Sequence, residues 1–225
     1  AQLDIMDGRL PPGTMNGAGT MHYWLGTDDQ GRDMLSGIIY GLRISLSVGA
    51  GSALIAGIIG SSLGLIAAYV GGKIETLIMR LVDLQLSFPA ILVALMILAF
   101  LGKGVLNVTL ALVIVEWARY ARTARSAALV ERRREYIEAA ECLALPRWRV
   151  LFRHLLPNCL PPRIVIGTIQ VARAITLEAT LSFLGLGGPI TEPSLGLLIA
   201  NGYQYMLSGK YWISFYPGLA LLITS

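Results

Sequence analysis

Apolar residues run through this chain in long blocks separated by short polar intervals, and the blocks are too long to be core elements of a soluble domain. Ile44 to Val70 contains no charged residue and exceeds the roughly 20 residues that cross about 30 Å of hydrocarbon as a helix. Leu84 to Gly102 predicts a second span. Gly104 to Val115 predicts a third that borrows flanking residues to about 121, and Ile164 to Gly188 a fourth with Arg173 and Glu178 inside it. Tyr211 to Ser225 begins a fifth and stops in apolar sequence, which, with no initiating Met, reads as both ends missing. Gly60-x-x-x-Gly64 and the other glycines and serines of the first span predict a helix whose backbone lies close to its neighbours.

The polar intervals carry the remaining signals. Tyr136 to Asn158 reads YIEAAECLALPRWRVLFRHLLPN, and a helix from about Arg134 puts Tyr136, Ala139, Ala140 and Leu143 on one face. Pro146 should stop or kink it, ahead of a basic segment with Arg147, Arg149 and Arg153. The pattern is that of a docking element, with no residue set suited to catalysis. Ahead of the first span, Ala1 to Thr20 reads as irregular structure. Thr27-Asp28 can cap a helix beginning near there, and Asp28 and Asp33 flank Arg32. That segment fits either an interfacial helix with its cap or a contact for an external protein. Asp83 can reach Arg80 one helical turn away.

Composition narrows the class. The chain has 225 residues, 55% hydrophobic and only 14% charged, with mean hydropathy +0.64, which excludes an ordinary soluble domain. The net charge of +4 would suit a nucleic-acid binder, but its placement argues for topology. Nine arginines (119, 122, 125, 132, 133, 134, 147, 149 and 153) face four glutamates between Arg119 and Arg153, the positive-inside signal of a cytoplasmic loop. The segment before Ile44 holds five aspartates against three arginines and belongs outside; counting spans between the two agrees. Cys142 and Cys159 fall in or beside the cytoplasmic loop, so a disulfide is not expected. His22 and His154 are predicted on opposite sides of the membrane, leaving no metal site to assemble from Cys and His. No phosphate-binding glycine loop or nucleophile elbow is present. Arg173 and Glu178, five residues apart, point about 140° away from each other on a helix. An ion pair with another helix or subunit, a polar pathway and a proton relay all remain open for them.

Three motifs carry a resemblance. Glu138-Ala139-Ala140, with Ala144 and then His154-Leu155-Leu156-Pro157, is similar to the EAA loop of ATP-binding-cassette importer permeases, where Ala144 stands in place of the usual glycine. Trp24-Leu25-Gly26-Thr27-Asp28, Gly31-Arg32-Asp33, Ser36, Tyr40-Gly41, Arg43 and Ser45-Leu46 resemble the signature of the second permease of dipeptide, oligopeptide and nickel importers, with Gly37 for the usual Arg. Leu181-Ser182-Phe183-Leu184-Gly185-Leu186-Gly187 is similar to a third family motif, after which Leu195 replaces the usual Trp.

The resemblance implies an all-α, polytopic transmembrane bundle of the type I importer permease fold, with five spans here and a sixth before residue 1. Residues 1–43 would be an extracytoplasmic segment and interfacial helix, and 44–225 the transmembrane domain, with its coupling loop at about 122–160. It implies a multi-pass protein of the bacterial inner membrane that has no catalytic site and binds no cofactor, ATP and Mg being held by partner ATPase subunits. Tyr136, Glu138, Ala139, Ala140, Leu143, Ala144 and Pro157 would couple to the ATPase. Arg173 and Glu178 are candidate pathway or inter-subunit groups, and Asp28, Arg32 and Asp33 candidate contacts for an extracytoplasmic substrate-binding protein. A second permease, two ATP-binding subunits and the bilayer complete the implied partners. The rival classes are an ion- or proton-coupled secondary carrier built on Arg173 and Glu178, and a membrane scaffold that only docks a cytoplasmic protein. The cargo is open among dipeptides, oligopeptides, glutathione and nickel complexes.

Overall fold

The computed structural model describes residues 5–143, 145–146, 149–150, 153, 158, 160–189 and 192–225. It is mostly helical: α1 (Met34–Val70), α2 (Gly72–Ser87), α3 (Ala90–Leu101), α4 (Val105–Glu131), α5 (Glu135–Cys142), α6 (Leu160–Phe183), α7 (Leu195–Tyr203) and α8 (Trp212–Thr224). A two-stranded antiparallel hairpin, β1 (Thr14–Met15) and β2 (His22–Tyr23), precedes them. The chain divides into two compact units, one of 1–51, 95–109 and 172–225, the other of 52–94 and 110–171.

α1 is long and apolar enough to cross a membrane alone. It runs without a break from Met34, and among the described residues no α-helix precedes it. Its cap also differs from expectation. Asp33 caps it, its Oδ2 accepting from the Ser36 amide at 2.9 Å and the Ser36 hydroxyl at 2.6 Å, while Thr27 and Asp28 serve the loop before it.

The expected second span is two helices. α2 and α3 pass the same test only as a pair bent by 92°. Phe88 is extended, at φ −97° and ψ 143°, as a residue before proline must be, and Pro89 then starts the new helix. α4 extends ten residues past the expected end, and its charged residues Glu116, Arg119, Arg122 and Arg125 keep it from reading as a simple apolar span. α6 covers the predicted fourth span with Arg173 and Glu178 inside it, and α8, apolar but 13 residues long, covers the fifth. By length and composition, then, the described residues contain one clear spanning helix and one bent pair.

In the unit formed by 52–94 and 110–171, α1 meets α4 through glycine. A Cβ on Gly60 would lie 2.1 Å from the Trp117 carbonyl oxygen, and one on Gly64 2.2 Å from that of Ala121. No side chain fits there, which is why the Gly-x-x-x-Gly spacing predicted from sequence is required. Ala118 and Ala121 of α4 pack with Val82 of α2, flanked by Met79, Leu86 and Trp117.

In the other unit, α6 and α7 are equally close, a Cβ on Gly196 falling 2.0 Å from the Ala179 carbonyl oxygen. α6 ends at Gly185, whose φ of 78° lets Leu186 return its N–H to the Leu181 carbonyl. Met34, Ile38, Leu195, Leu198, Trp212 and Ile213 form the apolar cluster joining α1, α7 and α8.

Candidate functional site: the docking helix and the outer lock

α5 is built to present one face and bury the other. Ile137 and Ala140 are buried with Leu65, Ala68, Ala128 and Val150, where the ends of α1 and α4 come together. Glu138 and Ala139 are exposed, and Leu143, just past the helix, is 73% exposed. This corrects the predicted face. Tyr136, Ala139, Ala140 and Leu143 do not share a surface: Ala140 turns inward beside Ile137, a residue the periodicity passed over.

Tyr136 donates its hydroxyl to Glu131 Oε2 at 2.8 Å, which fixes it against the end of α4. The branched side chain of Ile137 wins the inward position because Leu65 and Ala128 offer an apolar seat there. The helix closes before Pro146 as predicted, with the Leu145 amide bonded to the Ala140 carbonyl. Ala144 and Pro157, the other two predicted coupling residues, lie outside the described residues.

Around this seat the arginines of α4 are engaged in order. Arg122 pairs with Asp83, and Arg125 with Glu75, its Nε donating at 2.7 Å. Arg132 donates to the Ala68 carbonyl at 3.1 Å and lies over the Tyr69 ring. The expected Arg80–Asp83 pair is therefore not formed. Asp83 turns to α4, where the guanidinium of Arg122 meets it, and Arg80 lines a cleft of about 320 Å³ with Glu75, Thr76, Met79, Asp83 and Arg125. Sequence reasoning counted these arginines only as a topology signal, and their partners are far along the chain.

Arg173 and Glu178 part company. Arg173 is exposed, whereas Glu178 is 3% exposed and accepts a hydrogen bond from the Ser182 hydroxyl at 2.7 Å. A Cβ on Gly187 would sit 2.2 Å from that hydroxyl, so glycine there leaves Ser182 free to hold the carboxylate. Glu116 on α4, 1% exposed with Arg119 Nε 3.8 Å away, is a second buried carboxyl that the sequence reading did not single out.

The segment before α1 is a lock. The Asp28 carboxylate accepts from the amides of Gln30 and Arg32 and from Arg32 Nε at 2.8 Å, and the two side chains are buried. Thr27 accepts from the Leu10 amide and donates to the Asp7 carbonyl. Gly26 has φ of 79° and no room for a Cβ, which would meet the Leu10 carbonyl at 2.5 Å. Asp33 is committed to the α1 cap. Burial, with the neighbouring Asp28 charge, pushes the Asp29 carboxyl above its ordinary value. Of the signature residues in this segment Trp24 is 70% exposed, its ring tilted against that of His22 with centroids 4.6 Å apart. Among the described residues no group of three or more His, Cys, Asp or Glu could hold a metal.

The fold is that of an importer permease. It matches the inward-facing methionine transporter MetNI in two crystal forms, with TM-scores of 0.65 and 0.66 at 18% and 19% identity, over 85% of this chain and 98% of the other. Residues 60–225 match the family described as binding-protein-dependent transport system inner membrane component, and the chain belongs to that family. Its relatives include a probable D,D-dipeptide transport system permease protein of Escherichia coli strain K12, 37% identical over 99% of this chain and 72% of that protein. A dipeptide transport system permease protein of Haemophilus influenzae is 39% identical over 95% of this chain and 72% of its own length. A glutathione transport system permease protein of Pectobacterium atrosepticum is 37% identical over 90% and 67%. The resemblance drawn from the sequence motifs is thus correct.

Proposed function

We propose that this chain is a permease subunit of an ATP-driven importer for di- or oligopeptides or a related small solute, supplying half of the translocation pathway. The observation that carries the reading is the likeness to peptide permeases over almost the whole chain. The geometry of α5 supports the coupling role: one face is anchored on α1 and α4 and the other is open for a partner ATPase subunit. ATP and Mg would reside on that partner. A second permease, a second ATP-binding subunit and an extracytoplasmic binding protein complete the complex. The positive-inside charge bias supports a cytoplasmic α5 in a multi-pass inner-membrane protein.

The secondary-carrier reading finds no support in the geometry, because Arg173 is exposed and Glu178 buried on a different face of α6. The same exposure makes Arg173 the better candidate for a pathway or inter-subunit contact. Burial of Asp28 and Arg32 favours a role in holding the outer segment, with Trp24 better placed to touch a binding protein.

The test is uptake by the reconstituted complex in proteoliposomes with and without ATP, for wild type and Glu138→Lys. Wild type should accumulate labelled dipeptide only with ATP. The variant should insert normally and lose most ATP-driven uptake, because the change reverses a charge on the open face of α5 without touching its buried face. Uptake independent of ATP would overturn the importer reading, and wild-type uptake by the variant would overturn the assignment of α5.

A further inference from the structure

The contacts between α2 and α4 are of two kinds. Near the middle of α2 lies a small apolar pivot, Val82 against Ala118 and Ala121. Charge joins the two helices on either side of it, Glu75 to Arg125 in the first turn of α2 and Asp83 to Arg122 next to Val82. These pairs are part-exposed, with side chains between 24% and 58% accessible, and pairs of that kind add little to stability. Such pairs hold a register without locking it.

Between them is the cleft lined by Arg80, which makes no ion pair among the described residues and sits one turn from Asp83 on the same helix. Asp83 thus has two cationic partners available, Arg122 across the helix interface and Arg80 on its own helix. An acidic group with two competing partners is a two-state element, which is what transmission of a movement requires.

We propose that Asp83 is a positioning residue that switches between Arg122 and Arg80, and that this exchange passes the movement of the docking helix on to α2 and, through the bend at Phe88–Pro89, to α3. The route is contiguous. α5 is seated on the ends of α1 and α4, and Arg132 ties α4 to the last turn of α1. A force on α5 therefore reaches α4, whose arginines at 122 and 125 grip α2. With Asp83 on Arg122 the two helices move together. With Asp83 on Arg80 the grip loosens and α2 turns about the Val82 pivot. The proposal rests on the importer reading above, but concerns which residues carry the coupling.

The experiment measures ATP hydrolysis and labelled-dipeptide uptake in the same proteoliposomes, using the complete complex. ATP-dependent uptake by wild type establishes the importer reading in the same assay, so a failure there is distinct from a failure of the switch. Arg122→Gln leaves Asp83 only Arg80, and the expected result is uptake lowered about fivefold or more with hydrolysis changed much less. Arg80→Gln traps the opposite state, and basal hydrolysis without peptide should fall relative to wild type. The exchange pair Asp83→Arg with Arg122→Asp rebuilds the bond across the helices but leaves Arg80 no acid at position 83, so it should assemble without recovering uptake.

A purely structural role would lower hydrolysis and uptake together in both single variants and would show as lost complex yield. Wild-type coupling in Arg122→Gln, a parallel fall of hydrolysis and uptake in both single variants, or an exchange pair with wild-type uptake would each overturn the proposal. If Arg122→Gln does not assemble, the exchange pair decides: assembly with little uptake supports the switch, and wild-type uptake or failure to assemble overturns it.

Discussion

At the scale of single residues, the sequence signatures are mostly about closeness and caging. The glycines at 60, 64 and 196 sit where a neighbouring carbonyl oxygen would lie about 2 Å from any Cβ, and Gly26 combines that crowding with a left-handed backbone. Asp28 and Arg32 look from sequence like surface charges, yet they satisfy one another and the loop amides away from water. Asp29 lacks that compensation. Its carboxyl is raised above 3.8 by burial first and by the adjacent Asp28 charge second.

The sign follows from proton linkage. The folded state holds the Asp29 proton more tightly than the unfolded state does, so the protein loses stability as pH rises upward from the unfolded value of 3.8. Asp29→Asn removes that loss. Its thermal midpoint in detergent should exceed that of wild type at pH 7, and the difference should shrink toward pH 4. A variant less stable than wild type at pH 7 would show that the carboxylate makes a favourable contact there.

At the scale of elements, α5 shows how much periodicity can and cannot say. The helix and its stop before Pro146 follow from local sequence, but which residues turn inward depends on the seat provided by Leu65, Ala68 and Ala128. Truncating the inward residue, Ile137→Ala, should cost about 2–5 kcal/mol of local packing and raise amide exchange across 135–142. Leu143→Ala should leave exchange unchanged while reducing ATP-driven uptake, since Leu143 is 73% exposed and contributes to the open face. Equal exchange in the two variants would mean that α5 is not anchored by Ile137. The bend between α2 and α3 was missed, 84–102 being expected as one span. Phe88-Pro89 announces a break, but proline alone does not specify 92°.

At the scale of the whole molecule, the pattern of charge predicts which side each segment faces. Cys142 is an exposed free thiol at the end of α5, and it reports orientation directly. In a Cys159→Ser background, a membrane-impermeant maleimide should label Cys142 in inside-out vesicles and not in right-side-out vesicles. The reverse pattern would invert the proposed topology and remove α5 from reach of a cytoplasmic ATPase.

By itself the sequence determined the class of the protein. Long uncharged blocks have no other stable home than a bilayer, and the glycine spacings and motif residues were sufficient to recognise the family. It also determined that α5 closes ahead of Pro146, because the effect of a proline is local to the backbone. Tertiary structure decided the partners. Asp83 chose Arg122 over Arg80, Glu75 met Arg125 fifty positions away, Ile137 took the inward face, and Glu178 was enclosed while Arg173 was left outside. Each outcome depends on which remote helix comes alongside and what its side chains offer, and such long-range juxtapositions leave no mark in the spacing of neighbouring residues.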